Sequence, residues 1–279
     1  MLISQAFDMY LEDYIRARNQ SSRTEEMHEA CKRLLIFYIG DKNISELSLL
    51  DVREWRKEIS KGRRANSIRV YILRLRAVLR YCNIRDIPCI KSDLVPVPKR
   101  EDTVPVFLTE QEVERMIHHA SSIRNAFIVS LLYSSGIRLS ELIALNRGQI
   151  VDRRFTVIGK GRKVRLCFID QRTELLMNMY LAKRTDHSDA LIVSNEYKQR
   201  MTATNIQLLV RNSARRAGIT KKVTPHTLRH SFATNFLRNN GNMRYLSAML
   251  GHASLDTTMM YAHVVDIDLQ DQYEKYHTI

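Results

Sequence analysis

Two short polar motifs in the second half of the chain place a cation beside a glycine turn. In Ser135-Gly-Ile-Arg-Leu-Ser-Glu-Leu142, the glycine is predicted to end an apolar helix and Arg138 to begin the next one. An arginine at a helix N-terminus can offer its guanidinium to a phosphate together with free backbone N–H groups. In Ile158-Gly-Lys-Gly-Arg-Lys-Val-Arg165, Lys160 stands between two glycines at a turn tip and can reach a ligand without obstruction. Both motifs favour binding of an anion.

Two further motifs supply histidines, a second arginine and a tyrosine. Thr224-Pro-His-Thr-Leu-Arg-His-Ser-Phe-Ala-Thr234 opens with a good N-cap and a proline suited to the first helical position, so His226 and Arg229 share one helix face. In Leu250-Gly-His-Ala-Ser-Leu-Asp-Thr-Thr-Met-Met-Tyr261, the glycine fits the end of a helix, His252 follows it, and Tyr261 comes nine residues later. These residue types indicate chemistry on a phosphate ester.

The reaction that such a set can perform is attack on a phosphodiester. The diester is anionic, and attack builds further charge on its equatorial oxygens, which guanidinium and imidazole groups stabilise. A tyrosine, with a pKa of about 10, is a poor nucleophile unless nearby cations favour its phenolate. Each motif alone also has an ordinary interpretation, as a surface arginine, a plain turn, a zinc-binding histidine pair or a packed tyrosine. The order and spacing of all four favour the chemical interpretation.

In this order and spacing the four motifs resemble those of the tyrosine recombinase/integrase family, of the short two-domain Xer-like or transposon-resolvase type. They match the family's box around its first catalytic arginine, its β-hairpin lysine, its His-x-x-Arg box and its Gly-His…Tyr box. The resemblance covers the whole catalytic half, and the helical N-terminal half looks like the family's core-site DNA-binding domain. It implies a site-specific DNA recombinase.

The resemblance assigns the central roles to three residues. Tyr261 would be the nucleophile that attacks a DNA phosphodiester and forms a 3′-phosphotyrosyl bond. Arg138 and Arg229 would clamp the non-bridging oxygens of the same phosphate. Strand exchange would pass through a Holliday junction, and because covalent attachment conserves the bond energy, rejoining would need neither ATP nor a metal. No cofactor is expected, since the motifs contain no carboxylate cluster suited to Mg²⁺.

The same resemblance implies that three further residues are catalytic and that Glu141 has a supporting role. Lys160 would be the general acid that protonates the departing 5′-oxygen, His226 would help handle the tyrosine proton, and His252 would donate to the scissile phosphate. Glu141 fits a position that supports the first arginine. His230 is expected to orient its neighbours or to pack.

The expected partner is double-stranded DNA with paired inverted half-sites, bound by a homo-oligomer that forms a tetramer in the synapse, with a paralogous partner as a further possibility. Three other functions remain open. One is a catalytically silent DNA-binding accessory protein, and another is a type IB topoisomerase-like enzyme that relaxes supercoils. The third is a zinc hydrolase that would use His226, His230, His252 or His263, although these motifs offer no further apparent ligands.

The elements that must position these residues are mostly helices. Apolar residues recur at helical spacing near 3–18, 23–39, 48–59 and 66–83, and after the prolines at 109–120, 122–134, 139–146, 171–184, 202–217, 225–239 and 242–250. Residues 155–158 and 164–169 read as strands around the lysine turn. The predicted fold is mainly α with a small antiparallel β-sheet: an α-helical N-terminal core-binding domain and a mixed α/β catalytic domain of the tyrosine recombinase type.

Proline marks the predicted domain boundary. Four of the five prolines fall between Pro88 and Pro105, where each removes a helical donor and favours extended backbone. We therefore predict a helical core-site DNA-binding domain over residues 1–86, a proline-rich linker over 87–106 and a catalytic domain over 107–279. The end of the chain, from 264, is predicted to form a tail helix that docks on a neighbouring subunit.

Charge supports a polyanionic partner. The 279 residues carry 44 Lys and Arg against 30 Asp and Glu, a net charge of +14. The predicted helix at 66–83 has a uniformly basic face. The expected DNA contacts, to phosphates, are Arg63, Arg64, Arg69, Arg76, Arg80, Arg162, Lys163 and Arg165.

Other features of the composition exclude whole classes of protein. No apolar stretch approaches the ~20 residues that cross a bilayer, and the first 30 residues have no signal-peptide core, so membrane and secreted proteins are excluded. Four cysteines without a CxxC spacing fit a reducing cytoplasm, which is the expected location.

Overall fold

The computed structural model describes residues 1–101, 105–159 and 164–251 together with Thr258 and Tyr261. The chain divides into two compact units, residues 1–103 and 104–279, each with its own hydrophobic core. No helix among the described residues is long and apolar enough to cross a membrane.

The first unit consists of four helices. Helix α1 continues through a π-helical turn, and short 3₁₀ turns connect later elements. Capping fixes the start of the third helix, because Ser48 and Asp51 satisfy each other's backbone N–H groups. The fully buried Trp55 lies in the core of this unit. The helices are α1 (Ile3–Tyr10), α2 (Ser22–Ile39), α3 (Leu49–Ile59) and α4 (Ala65–Ile84).

Helix α4 buries the apolar stripe that its sequence predicts. The stripe has the helical spacing that turns one face of the helix to the core. Its buried members are Ile68, Ile72, Leu75, Val78, Leu79 and Cys82.

The proline-rich segment after α4 packs on the same core. Val95 is fully buried, and Ile87, Cys89, Ile90 and Val97 lie against the first unit. The backbone there is extended apart from one 3₁₀ turn, Ser92–Leu94. The apolar residues between the prolines are buried or partly buried here because contact with the core removes them from water.

The second unit contains seven described helices, a main hydrophobic core and a smaller buried cluster that includes Tyr261. Side-chain caps start α5, α6, α8, α9, α10 and α11, and left-handed glycines end α6 and α11. They are α5 (Glu110–His118), α6 (Ile123–Ser135), α7 (Leu139–Ala144), α8 (Gln171–Ala182), α9 (Ala203–Arg216), α10 (Pro225–Arg238) and α11 (Met243–Leu250).

In chain order, a two-stranded antiparallel sheet follows α7 and precedes α8. Strand β1 (Arg154–Ile158) pairs with β2 (Val164–Phe168) so that Phe155 faces Cys167 and Val157 faces Arg165. These four residues are buried, while the alternate residues are exposed. The predicted fold class, mainly α with a small antiparallel sheet, is confirmed.

Candidate active site

Arg138 is positioned by the break between two helices. Gly136, at φ +61°, ends α6 in the left-handed region, and Arg138 becomes the N-cap of α7. The Arg138 backbone N–H donates to Glu141 Oε2 at 2.7 Å, and its guanidinium donates to Glu141 Oε1 at 3.0 Å and to the Gly251 carbonyl at 3.4 Å. The side chain keeps about a third of its surface exposed. The guanidinium is therefore held on one side and open on the other.

Arg229 is buried in the second turn of α10, with 2% of its surface exposed. Its guanidinium donates to the Gly136 carbonyl at 2.6 Å and to the Leu250 carbonyl at 2.7 Å, which are the ends of α6 and α11. Burial lowers its pKa to about 10, and the positive charges of Arg138 and Arg165 act in the same direction. The group is still cationic at neutral pH, so a buried positive charge stands at the meeting point of three helices.

Tyr261 lies next to this charge and is 2% exposed. Its phenol oxygen is 2.8 Å from Nδ1 of His230. Burial raises the pKa of the phenol above its usual value, while the nearby positive charges of Arg229 and Arg138 lower it in part. The phenol is thus surrounded by groups that can accept its proton and stabilise its anion.

His226 lies one turn before His230 on the same face of α10. The two imidazole rings meet edge to face, with centroids 4.2 Å apart. His226 is exposed, and the pKa of its imidazole is lowered by partial loss of hydration and by the positive charges of Arg229 and Arg138. It therefore lies at the open side of the cluster.

Glu141 and Arg165 form a buried ion pair beneath Arg138. Both carboxylate oxygens accept from the Arg165 guanidinium at 2.6 Å, and Arg165 Nε donates to the Met249 carbonyl at 2.8 Å. Burial alone would raise the pKa of Glu141, but hydrogen bonds from Arg165 and from the Arg138 backbone hold it below its usual value. The prediction that Arg165 contacts a DNA phosphate differs from this finding, because its side chain is 7% exposed and all three of its nitrogens are engaged.

The structure thus brings together Arg138, Glu141, His226, Arg229, His230 and Tyr261. Lys160 and His252, predicted to act at the same site, lie outside the described residues, as do Arg162, Lys163, His263 and the tail from 264. Among the described residues, no group of three or more His, Cys, Asp or Glu side chains could hold a metal ion.

The predicted DNA-contacting arginines of the first unit fall into two groups. Arg63, Arg64 and Arg80 are exposed. Arg76 pairs with Asp93 at 2.8 Å, and Arg69 donates to the Pro98 carbonyl. The proline-rich segment therefore occupies part of the face that the sequence of α4 alone presents as uniformly basic.

Two features of the site were not anticipated from the sequence. His230 was expected to orient or pack, and the structure places its ring nitrogen on the tyrosine oxygen. Its spacing of four residues from His226 indicates that the two histidines share a helix face, but not that the tyrosine lies beside them. The burial of Arg165 had a weaker signal, its alternation with the buried Cys167.

Comparisons with known proteins identify the family. Residues 106–266, more than half of the chain, match the phage integrase family. The chain is 35% identical over 196 residues to tyrosine recombinase XerD of Oceanobacillus iheyensis, with 66% of each protein covered. It is 27% identical over 290 residues to tyrosine recombinase XerD of Listeria monocytogenes, which covers 96% of this chain and 97% of the relative.

A solved structure shares the fold. The integrase of transposon Tn1549, in complex with transposon right end DNA, aligns with a TM-score of 0.82 at 20% identity, covering 100% of both chains. The family match over the second unit and the two recombinase relatives identify the class of enzyme to which the cluster around Tyr261 belongs. The chain belongs to the phage integrase family and is a tyrosine site-specific recombinase.

Proposed function

We propose that this recombinase cleaves and rejoins DNA through a 3′-phosphotyrosyl bond to Tyr261 and exchanges strands through a Holliday junction, without metal or ATP. The observation that supports the proposal is the set of groups that lie around the Tyr261 phenol. A buried cation, Arg229, and a partly exposed one, Arg138, act on the same phenol, and an imidazole lies 2.8 Å from its oxygen. A phosphodiester bound against these cations would gain charge as the phenol attacks, and the cations would stabilise that charge.

The two arginines differ in how they can act. Arg229 is fixed by two carbonyl oxygens and is buried, so it supplies a preorganised positive charge. Arg138 is held by Glu141 on one side and exposed on the other, so it can close on a non-bridging oxygen. In this proposal Lys160 protonates the 5′-oxygen and His252 donates to the phosphate, as the family resemblance implies.

The substrate in this proposal is double-stranded DNA with paired inverted half-sites. The Tn1549 integrase structure contains transposon DNA, and a lambda integrase structure of the same fold is a dimer on a core site. The net charge of +14 supports a polyanionic partner. We propose that the first unit binds the core site, that the second unit performs the chemistry, and that four copies form the synapse, with or without a paralogous partner.

A covalent adduct tests the proposal. The protein is incubated with a nicked candidate site, with and without EDTA, and protein–DNA adducts are separated on a denaturing gel. We expect an adduct that forms in EDTA and disappears in Tyr261→Phe. Absence of an adduct from the unaltered protein, while DNA is still bound, would favour the catalytically silent accessory protein. An EDTA-sensitive cleavage without adduct would favour zinc chemistry.

A plasmid with two sites separates recombination from relaxation. Exchanged products are expected from a recombinase, whereas a type IB topoisomerase-like enzyme would change only the linking number. The proposed tail helix is tested in the same assay by truncation after Asp266. Truncation should abolish cooperative synapsis and leave binding to a single half-site intact, and unchanged recombination would contradict the tail's role.

A further inference from the structure

The proline-rich residues 87–101 form a strap that doubles back along α4. Hydrogen bonds and an ion pair join the strap to side chains spread over the whole length of that helix, from its last turn to its first. The contacting pairs are Asn83 with Ser92, Arg76 with Asp93, Arg69 with Pro98, and Asn66 with Glu101. Two of these partners, Arg69 and Arg76, belong to the basic face of the helix. The strap therefore occupies cations that an anionic ligand would otherwise meet.

Two cysteines meet where the strap begins. The chain reverses after α4, with the Ile87 N–H donating to the Cys82 carbonyl at 3.0 Å, and returns to the last turns of the helix. There Cys89 Sγ lies 3.1 Å from Asn83 Nδ2 and 3.8 Å from the Leu79 carbonyl oxygen, and it shares a hydrogen bond with the Cys82 thiol. Both thiols are free. The two sulfurs are thus already in contact, and a disulfide, with its sulfurs about 2.05 Å apart, needs only their closer approach.

The two thiols differ in access and in acidity. Cys82 is fully buried, whereas Cys89 is partly exposed. Burial raises the pKa of Cys82 to about 12, and the neighbouring Cys89 acts in the same direction. Burial also raises the pKa of Cys89, but hydrogen bonds with Cys82 and Asn83 lower it in part. Because the thiolate is the reactive form, Cys89 is the cysteine that an oxidant meets first, and Cys82 lies where it can complete the exchange.

We propose that Cys82 and Cys89 are a redox-sensitive pair, which a low-molecular-weight disulfide oxidises to an intramolecular disulfide that locks the strap on α4. The Cys89 thiolate attacks one sulfur of the reagent, the reagent's S–S bond breaks, and the released thiolate takes up the proton that Cys89 has lost. The Cys82 thiolate then attacks the Cys89 sulfur, and the second reagent thiol leaves in the same way. The two cysteines are oxidised, and one reagent disulfide is reduced to two thiols.

The disulfide controls how readily the strap leaves the helix. A cross-link removes the conformations in which the two joined segments are apart. Asp93 follows Cys89 by four residues, so a strap fixed at Cys89 keeps this carboxylate beside Arg76. In the thiol form the strap can open and release Arg76, whereas in the disulfide form the pair stays closed. The consequence for DNA rests on the proposed function, in which the first unit binds the core site.

Peptide mapping tests the cross-link without DNA. The full chain is incubated with oxidised glutathione, its remaining thiols are alkylated in denaturant, and the protein is digested with trypsin. Trypsin cuts after Arg80, Arg85 and Lys91, so Cys82 and Cys89 fall in separate peptides, 81–85 and 86–91, which only a disulfide joins. We expect the joined peptide, its loss on reduction, and alkylation of the buried controls, Cys31 and Cys167. Absence of the joined peptide, or its formation only between two copies of the chain, would overturn the proposal.

Single cysteine variants test the order of the exchange. Cys82→Ala should stop at a mixed disulfide between glutathione and Cys89, because no second thiol completes the reaction. Cys89→Ser, which changes only the partly exposed position, should leave Cys82 unmodified over the same time. Modification of Cys82 in Cys89→Ser at the rate seen for Cys89 in Cys82→Ala would contradict the assigned order.

Hydrogen exchange tests whether the cross-link locks the strap. The Ile87 N–H bonds the Cys82 carbonyl and the Ser92 N–H bonds the Asn83 side chain, so both are protected only while the strap lies on α4. We expect both amides to exchange roughly tenfold or more slowly in the oxidised protein, with the amides of α10 in the second unit unchanged. Equal exchange rates in a protein that carries the disulfide would overturn the locking of the strap.

The salt dependence of duplex binding, measured for the oxidised and the reduced protein, tests the consequence for DNA. We expect the slope of log affinity against log salt to be smaller in the oxidised protein by up to about one unit, for the phosphate contact that Arg76 cannot make. In Asp93→Asn, where Arg76 has lost its acidic partner, the two forms should have the same slope. Equal slopes for the unaltered protein would overturn the control of DNA contact by the strap. If neither form binds a duplex, the proposed function fails, while the cross-link and exchange results stand by themselves.

Discussion

Arg165 and Glu141 are joined by two hydrogen bonds of 2.6 Å, one to each carboxylate oxygen, between strand β2 and helix α7. The same carboxylate caps α7 through the Arg138 backbone and touches the Arg138 guanidinium. Arg165 also donates to the Met249 carbonyl near the end of α11. The pair therefore holds Arg138 in place and ties strand β2 to α11.

Replacing Arg165 by Met should break this support. Removing one partner of a buried ion pair leaves the other charge uncompensated and costs about 3–5 kcal/mol. We expect a comparable loss in the free energy of unfolding of the second unit, measured by hydrogen exchange in α6, α7 and α10, because the single tryptophan, Trp55, reports only on the first unit. DNA cleavage should fall as well.

The matched control for that variant is Glu141→Gln combined with Arg165→Met. With both charges removed, the double variant should unfold at higher denaturant concentration than Arg165→Met alone, while cleavage stays low because Arg138 has lost its carboxylate. A double variant that is less stable than the single one would show that the pair does not act as a unit.

The lowered pKa of Glu141 makes the stability of the second unit depend on pH. Since the folded-state pKa lies below the unfolded value of about 4.3, the stabilisation is complete at pH above the unfolded value and is lost as pH falls through the folded pKa. The unaltered protein should therefore lose stability on acidification below about pH 4.5. Glu141→Gln should be less stable at pH 7, and the difference should narrow as pH falls. A difference that stays constant from pH 7 to pH 3 would contradict the ionised state of Glu141.

Gly136 is required for the site by both its backbone and its lack of a side chain. A Cβ at this position would lie 2.5 Å from Phe232 and 3.1 Å from Leu250, and φ is +61°. Gly136→Ala should cost about 2 kcal/mol or more, from the left-handed backbone and from overpacking. Because its carbonyl holds Arg229, cleavage should fall by about tenfold or more.

Gly148→Ala is the control for Gly136→Ala. Gly148 also has a positive φ, +75°, but nothing lies within 4 Å of its added Cβ. It should carry the backbone cost of about 1 kcal/mol and leave the cleavage rate unchanged. If the two alanine variants lose equal stability and equal activity, the close packing against Phe232 has no part in the effect.

The positions of the site residues along the chain could be predicted, because short sequence motifs mark the helix ends at which they lie. Capping residues and glycines mark the ends of α6, α7, α10 and α11, and the functional side chains stand at or near those ends. The contacts among these ends could not be predicted. Arg229 donates to Gly136, 93 residues earlier, and no periodicity in the sequence encodes that distance.

Strand β2 shows why the burial of Arg165 is hard to predict from the sequence. Its apolar residues Val164, Leu166 and Phe168 face outward, and the arginine faces inward with Cys167. A pattern of alternation fixes which residues share a face but not which face is buried. In β2 the more apolar face is the exposed one, because the inner face buries a paired charge.

The sequence predicts neither a helix nor a strand over residues 186–201, and the reason differs from that for Arg165. It is held by isolated bridges and by arginine side chains that donate to its carbonyls, with Arg184 bonded to the carbonyls of Ala190 and Leu191. Ala190 to Val193 are buried without forming a strand of the sheet. Side-chain bonds to carbonyl oxygens leave no periodic signature in the sequence.

The salt dependence of DNA binding should distinguish the arginines of α4. Arg80 is exposed, whereas Arg76 is paired with Asp93. Each phosphate contact that is lost reduces the slope of log affinity against log salt by about 0.9. We therefore expect Arg80→Ala to reduce the slope by about one unit and Arg76→Ala to reduce it less.

Asp93→Asn tests why the two arginines differ. This change removes the acidic partner without shortening the side chain, so Arg76 becomes available to a phosphate. In the Asp93→Asn background, Arg76→Ala should reduce the slope by about as much as Arg80→Ala does. The slopes are measured by fluorescence anisotropy with a labelled duplex at several salt concentrations. Identical slopes for all variants would mean that this face of α4 is only solvated and that the DNA contacts of the first unit lie elsewhere, with Arg63 and Arg64 the next exposed residues to test.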